Sequence, residues 1–195
     1  MPKLVSRPYE NRRLRRIAER VEGNSVLDIG YAQHPNTFFS EDLHRVGLDL
    51  AKPKSNSGYE EELVGDACAL GTTLGKRQFD TIVAAELIEH VEEPYDFLRG
   101  LKDHIAPGGL LLLTTPNPLG WPVVVAEYLR NKQFFYTEDH LYYFAPRWVE
   151  RMLQRCGFTI DAVEGLGFWL PNAVIPVRAP SLSYQVLYAA RLANP

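Results

Sequence analysis

A chain of 195 residues with 46% hydrophobic content is long enough for one domain with a sizeable core, and a single domain over residues 1–195 is expected. The net charge of −3 hides an asymmetry, because Met1 to Arg20 carries seven basic and two acidic residues, a surplus of five that leaves −8 on the rest. Outside that arm polyanions are poor partners, and nucleic acid is not expected.

The arm, residues 1–23, contains "NRRLRRIAER", in which Leu14, Ile17 and Val21 recur at helical spacing with most arginines between them. That pattern predicts an amphipathic helix packed on the domain rather than an RNA contact. Beyond it, short β-branched or leucine-rich runs alternate with helical patterns, as in a parallel sheet with crossover helices. "SVLDIG", "RVGLDL", "EELVGD", "FDTIVAA" and "GGLLLLTTP" are the first five strands. Pro94 to Ile105 reads as a helix closed by "APGG", and "APRWVERMLQRCG" as another, with Pro146 near its first position and Gly157 as its stop. "FTIDAVEG" and "LSYQVLYAARL" have no helix between them, which predicts an antiparallel ribbon at one edge. The fold class is therefore α/β: a Rossmann-like, mostly parallel seven-stranded sheet with helices on both faces and an antiparallel last strand. "AKPKSNSGYE" is a surface loop.

Cys68 and Cys156 stand alone, without spacing for zinc or a disulfide framework, which suits a reducing cytoplasm. The start "MPKLVSRPYENRR" has no apolar signal segment, and the longest apolar stretch is interrupted by Pro116, Pro118 and Pro122, so no membrane span is expected.

Ligands of open α/β sheets bind beyond the carboxyl ends of the strands, beside the first strand. That edge receives Asp28 to His34, Asp49, Asp66 and Glu86. Asp49 lies nineteen positions after Gly30, where a carboxylate can accept both hydroxyls of a ribose. Dinucleotide sites want further glycines where this chain has Ala32 and His34, and Asp28 suits an ammonium better than a pyrophosphate. Glu89 and His90 follow Glu86 by three and four positions, so all three face the same edge. Three readings stand side by side: a solvated acidic helix start, His90 alone as a general base, or a divalent metal site.

In order and spacing, "VLDIGYAQ", "VGLDL", "VGDACAL", "FDTIVAAELIEHVEEPYDFL" and "LKDHIAPGGLLLLTTPNP" resemble class I S-adenosylmethionine-dependent methyltransferases. The resemblance implies that Gly30, Ala32 and their neighbours contact the methionine moiety and that Asp28 lies near its amino group. It further implies that Asp49 takes the ribose hydroxyls, that Asp66 and Ala67 border the adenine, and that Glu86 closes the site after the fourth strand. A positive φ at Ala32 would cost on the order of 1 kcal/mol and weaken that site. "ELIEHV" is similar to the ubiquinone-pathway catechol O-methyltransferases and the small-RNA terminal 2′-O-methyltransferases. In the latter, the matching positions here would be Glu86, Glu89, His90 and the later His140, holding Mg²⁺, Mn²⁺ or Zn²⁺, with Glu89 and His90 nearest the chemistry. The implied function is O-methylation of a small hydroxylated acceptor: a diol, catechol, sugar or lipid-linked compound. The alternatives are a metal-independent N- or O-methyltransferase with His90 as base, and a degenerate, non-catalytic fold that binds a partner. The aromatic run "NKQFFYTEDHLYYFAPRW" is expected to cover the pocket. Apolar "GFWLPNAVIPVRAP", longer than a tight hairpin needs, fits a lipid-linked acceptor, peripheral membrane contact or a dimer.

Overall fold

Period-two alternation decides how this core divides, and the computed structural model, which describes residues 8–130, 139–170 and 173–193, follows it strand by strand. The chain runs α1 (Pro8–Ala18), β1 (Ser25–Ile29), β2 (His44–Asp49), β3 (Glu61–Val64), α2 (Leu70–Leu74) and β4 (Phe79–Ala85). It continues through α3 (Pro94–Leu101), β5 (Ile105–Pro116), α4 (Trp121–Arg130), α5 (Pro146–Arg155) and β6 (Phe158–Gly165). A hairpin of β7 (Phe168–Leu170) and β8 (Ala173–Ile175) then leads to β9 (Gln185–Leu192). Seven strands form one sheet in the order β3-β2-β1-β4-β5-β9-β6. The first five are parallel, and β9 runs antiparallel to both β5 and β6.

One face buries Leu27, Ile82, Leu111 and Tyr188 beneath α3 and α5, through Phe97, Leu98, Val149 and Leu153. The other buries Val26, Val83, Leu110, Leu112 and Leu187 beneath Ile17 of α1. The expected ribbon forms, but β9 lies inside β6 rather than at the rim. "QVLYAARL" is apolar on both faces, as an interior strand must be, whereas β6 carries the charged Asp161 and Glu164 that suit an edge.

Three local expectations are revised. The helix after β4 ends at Leu101, a short 3₁₀ turn follows over Lys102–His104, and "APGG" lies within β5 at a register shift instead of closing the helix. Pro122 does not interrupt structure: it sits in the first turn of α4, where no backbone N–H is required. The connection over residues 30–43 contains no crossover helix, while residues 51–60 form the expected loop. Aromatic rings cover the sheet there instead. Tyr31 lies so close over Gly47 of β2 that a Cβ added to that glycine would come within about 2.4 Å of its ring. Tyr59 stacks on Tyr31 with centroids 4.9 Å apart, and Phe39 tilts against Tyr59 at 6.1 Å.

The arm folds as its apolar spacing predicts, with Leu14 and Ile17 buried on the domain; residues 1–7 lie outside the described part. Much of the aromatic run, residues 131–138, also lies outside it. The apolar segment after β6 forms the hairpin, which packs β8 against α1, and Phe168 and Val174 are half-buried there. Among the described residues no helix is long and apolar enough to cross a membrane.

Candidate functional site

The carboxyl ends of β1, β2 and β4 open beneath α1 into a cleft of about 590 Å³, lined by Asp28, Gly30, Asp49, Glu86 and His90 together with Glu10 and Arg13 of the helix. Gly30 has φ +79, a conformation open to glycine at no steric cost, and it brings the chain across the end of β1 against Leu87. Ala32 is not in that region. Glu86 is the only non-glycine with positive φ among the described residues, so the strain anticipated at Ala32 does not arise.

The carboxylates at the ends of β1, β2 and β3 bond within the protein. Asp28 is buried and accepts the Tyr59 hydroxyl at 2.6 Å. Burial pushes its carboxyl up to about 7, against the opposing effects of the Tyr59 bond and the Arg13 charge. Asp49 accepts the Ala32 amide at 2.9 Å. Asp66 is exposed and caps the short turn after β3, accepting the Cys68 amide at 2.8 Å. Neither Asp66 nor Ala67 lines the cleft itself.

Glu86 follows β4, and its place differs from the one expected of a metal ligand. Its left-handed backbone (φ 51) turns the chain as β4 ends. The Thr114 hydroxyl and the Gln185 amide donate to its carboxylate at 2.9 and 2.7 Å, and the Arg13 guanidinium lies 3.7 Å away. Three elements, β5, β9 and α1, thus converge on a residue whose conformation costs on the order of 1 kcal/mol, as functional sites often do. Neither Arg13 nor Gln185 was singled out in the sequence. The signal for Arg13 was its spacing: Glu10, Arg13, Leu14 and Ile17 share one helical face, and all four are buried.

Glu89, His90 and His140 do come together. Each offers one ligand atom, and the three atoms lie within 4.8 Å of one another; Glu86 is outside this group. The 3₁₀ turn Ile88–His90 is latched to the later histidine by its backbone, since the Leu141 amide donates to the Glu89 carbonyl at 2.9 Å. His90 Nδ1 lies 2.8 Å from the Asp139 carbonyl. A carbonyl only accepts, so Nδ1 carries the proton and Nε2 keeps its lone pair. Glu89 is only 1% exposed, and neither of its oxygens has a hydrogen-bond partner. Burial, reinforced by the neighbouring Glu86 charge, pushes its carboxyl up to about 9. His140 Nδ1 is likewise buried without a partner, and its ring is held below the usual imidazole range by burial and by His90. Buried polar atoms without partners are costly. A divalent cation would satisfy all of them at once, so the donor set fits a metal.

A profile of the methyltransferase domain family matches residues 4–163. The chain is 30% identical over 160 residues to a ubiquinone biosynthesis O-methyltransferase of Dinoroseobacter shibae, covering 75% of this chain and 64% of that protein. The match thus spans just under two thirds of that relative's length. Among solved structures, a SAM-dependent methyltransferase of Thermotoga maritima, described as a possible histamine N-methyltransferase, superposes with a TM-score of 0.71 at 16% identity, covering 93% of this chain and 88% of that one. The small RNA methyltransferase HEN1 gives 0.66 at 16% identity, covering 95% of this chain but 25% of that one. At such identities the structures share the fold.

Proposed function

The chain belongs to the methyltransferase domain family, and we propose that it transfers a methyl group from S-adenosylmethionine to a hydroxyl oxygen of a small acceptor. The residues of the cleft fit that cofactor. Arg13 and Asp28 offer opposite charges to the carboxylate and ammonium of a methionine moiety, and Asp49 would exchange the Ala32 amide for ribose hydroxyls. Asp66 and Ala67, at the end of the neighbouring strand, would border the adenine. The cofactor supplies the electrophilic methyl group; the chain's work is to hold it and to present an oxygen.

One observation carries the oxygen acceptor: Glu89, a buried carboxylate with no hydrogen bond, beside two imidazoles at the end of the cleft. Glu89, His90 and His140 would hold a divalent cation, with two imidazoles favouring Zn²⁺ or Mn²⁺ over Mg²⁺. Such an ion lowers the pKa of a bound hydroxyl and orients a vicinal diol or catechol. Glu86, fixed by Thr114 and Gln185, would then serve Arg13 and the cofactor instead of the ion. The relatives named for O-methylation in ubiquinone biosynthesis support an oxygen acceptor of this class. Exposed Trp121, Val124 and Tyr128 on one face of α4 support an apolar or lipid-linked one.

A second reading uses His90 Nε2 as the general base without an ion, and it rests on the Asp139 contact that fixes the ring's tautomer. Manganese titration followed by electron paramagnetic resonance, on the wild type and on His140→Ala, tests the choice alongside methyl transfer from labelled cofactor to a catechol. One Mn²⁺ site, lost in the variant, together with a rate that chelation removes, is the expected result. A chelated protein that keeps its full rate, yet loses it in His90→Ala, moves the assignment to the lone base. Failure to bind either S-adenosylmethionine or S-adenosylhomocysteine would leave a partner-binding fold.

A further inference from the structure

Two features of the sequence have no part in methyl transfer: the arginines of α1 that face away from the cleft, and the long connection between β6 and β9. The fold brings them together. Gly165 ends β6 and donates its amide to the Arg178 carbonyl at 2.7 Å, while its Cα lies so close to Ser183 and the Ala179 carbonyl that no larger residue fits. Gly167, with φ +117, then turns the chain into the hairpin beside the Arg12 guanidinium. The result is a second groove of about 280 Å³, walled on one side by Arg12, Arg15, Arg16 and Glu19 and on the other by Pro176 and Arg178, with Glu164 and Gly165 as its floor.

The charges in this groove are unevenly matched. Glu164 is taken by Arg16, at 2.7 Å, and by Arg20, and Glu19 pairs with Arg16. Arg12 donates only its Nε–H, to the Leu166 carbonyl at 2.8 Å, so its terminal N–H groups remain. Arg15 lies with its guanidinium carbon 4.7 Å from the Phe38 ring centre, a contact that uses none of its N–H donors. Among the described residues, neither Arg15 nor Arg178 has an acidic partner. Three guanidiniums without carboxylates, on two walls of one groove, leave a local positive surplus that an anion can meet.

We infer that this groove binds a phosphate-bearing small molecule, with Arg12, Arg15 and Arg178 as its ligands. Guanidiniums match phosphate oxygens two at a time, which favours phosphate over a single carboxylate. At about 30 Å³ per water displaced, the groove has room for more than one phosphate group. Neither groove shares a lining residue with the other, so this site is separate from the cleft, although α1 forms a wall of both.

Calorimetric titration of the whole chain with inorganic pyrophosphate tests the inference, with sodium sulfate and a short RNA oligonucleotide as comparison arms. Saturable one-to-one binding of pyrophosphate is expected, weakening with salt and falling about tenfold or more in Arg15→Glu and in Arg178→Glu. Both side chains are exposed, so the variants should fold, and unchanged titration with S-adenosylhomocysteine checks this. No saturation by about 10 mM pyrophosphate, or equal affinity in wild type and both variants, overturns the inference. RNA bound more tightly than pyrophosphate, with a salt dependence reporting more than about three phosphates, also overturns it, in favour of a nucleic-acid surface.

Discussion

The two halves of the cleft solve the problem of buried charge in opposite ways. At the ends of β1, β2 and β4 each carboxylate has a protein partner: Asp28 has Tyr59, Asp49 has Ala32, and Glu86 has Thr114, Gln185 and Arg13, while Glu10 Oε2 and Arg13 Nε on the α1 wall are buried without a hydrogen bond. On the acceptor side Glu89 and His140 keep buried atoms for which the chain supplies nothing. Groups that satisfy one another cost little and exchange partners when a ligand enters, so such a half is adaptable. A buried carboxylate with no donor stays protonated or waits for a cation, so the other half is specialised. The difference teaches that the clustered charges after β4 are divided: Glu86 is tied into the protein's own hydrogen bonds and Glu89 is not, which on the proposed reading assigns them to the cofactor and acceptor halves.

The largest effect should come from breaking the acceptor half. Glu89→Ala is expected to lower the methyl-transfer rate by about 10²-fold or more while changing the dissociation constant of S-adenosylhomocysteine less than about threefold. Rate and affinity measured on the same preparations check this. A parallel loss of affinity would merge the two halves into one site. Asp49→Ala should do the reverse, weakening cofactor binding by about 10- to 100-fold, since it removes a carboxylate that can accept two hydroxyl hydrogen bonds. Calorimetry, with circular dichroism to confirm folding, is the measurement.

Much of this was legible in the sequence, for identifiable reasons. The succession of strands along the chain follows from apolar runs with β-branched or leucine-rich character, and the edge that collects Asp28, Asp49 and Glu86 follows from parallel topology alone. The nearness of Glu89, His90 and His140 rested on a resemblance, because residues fifty positions apart are joined only by the backbone latch at Leu141. The loop after β2 was legible, but the helix-free connection after β1 was not: what covers the sheet there is Tyr31, Phe39 and Tyr59, three rings with no periodicity to betray them. Arg13 was hidden by its neighbours. Among four arginines in one helix, only the face shared with Leu14 and Ile17 distinguishes the one that enters the cleft.

The smallest effect sharpens the cofactor half and concerns Asp28. Its carboxyl titrates at about 7 in the fold against an ordinary 3.8, because burial outweighs the Tyr59 hydrogen bond. A raised folded value means that the folded state keeps a proton which the unfolded chain releases. This contribution to stability is therefore fully present below about pH 4 and is lost as pH rises through about 7, at no more than about 1.4 kcal/mol per pH unit. Thermal melts should show a decline over that window, and Asp28→Asn should flatten it. An ammonium group bound beside Asp28 would favour the carboxylate, so cofactor binding near pH 6 should release close to one proton. Affinity should then fall by somewhat under tenfold between about pH 7.5 and 6. Calorimetry in two buffers of different ionisation enthalpy reads the proton directly. If the wild type and Asp28→Asn release the same number, Asp28 does not face the ammonium, and the pairing of Arg13 with Asp28 across a methionine moiety has to be given up.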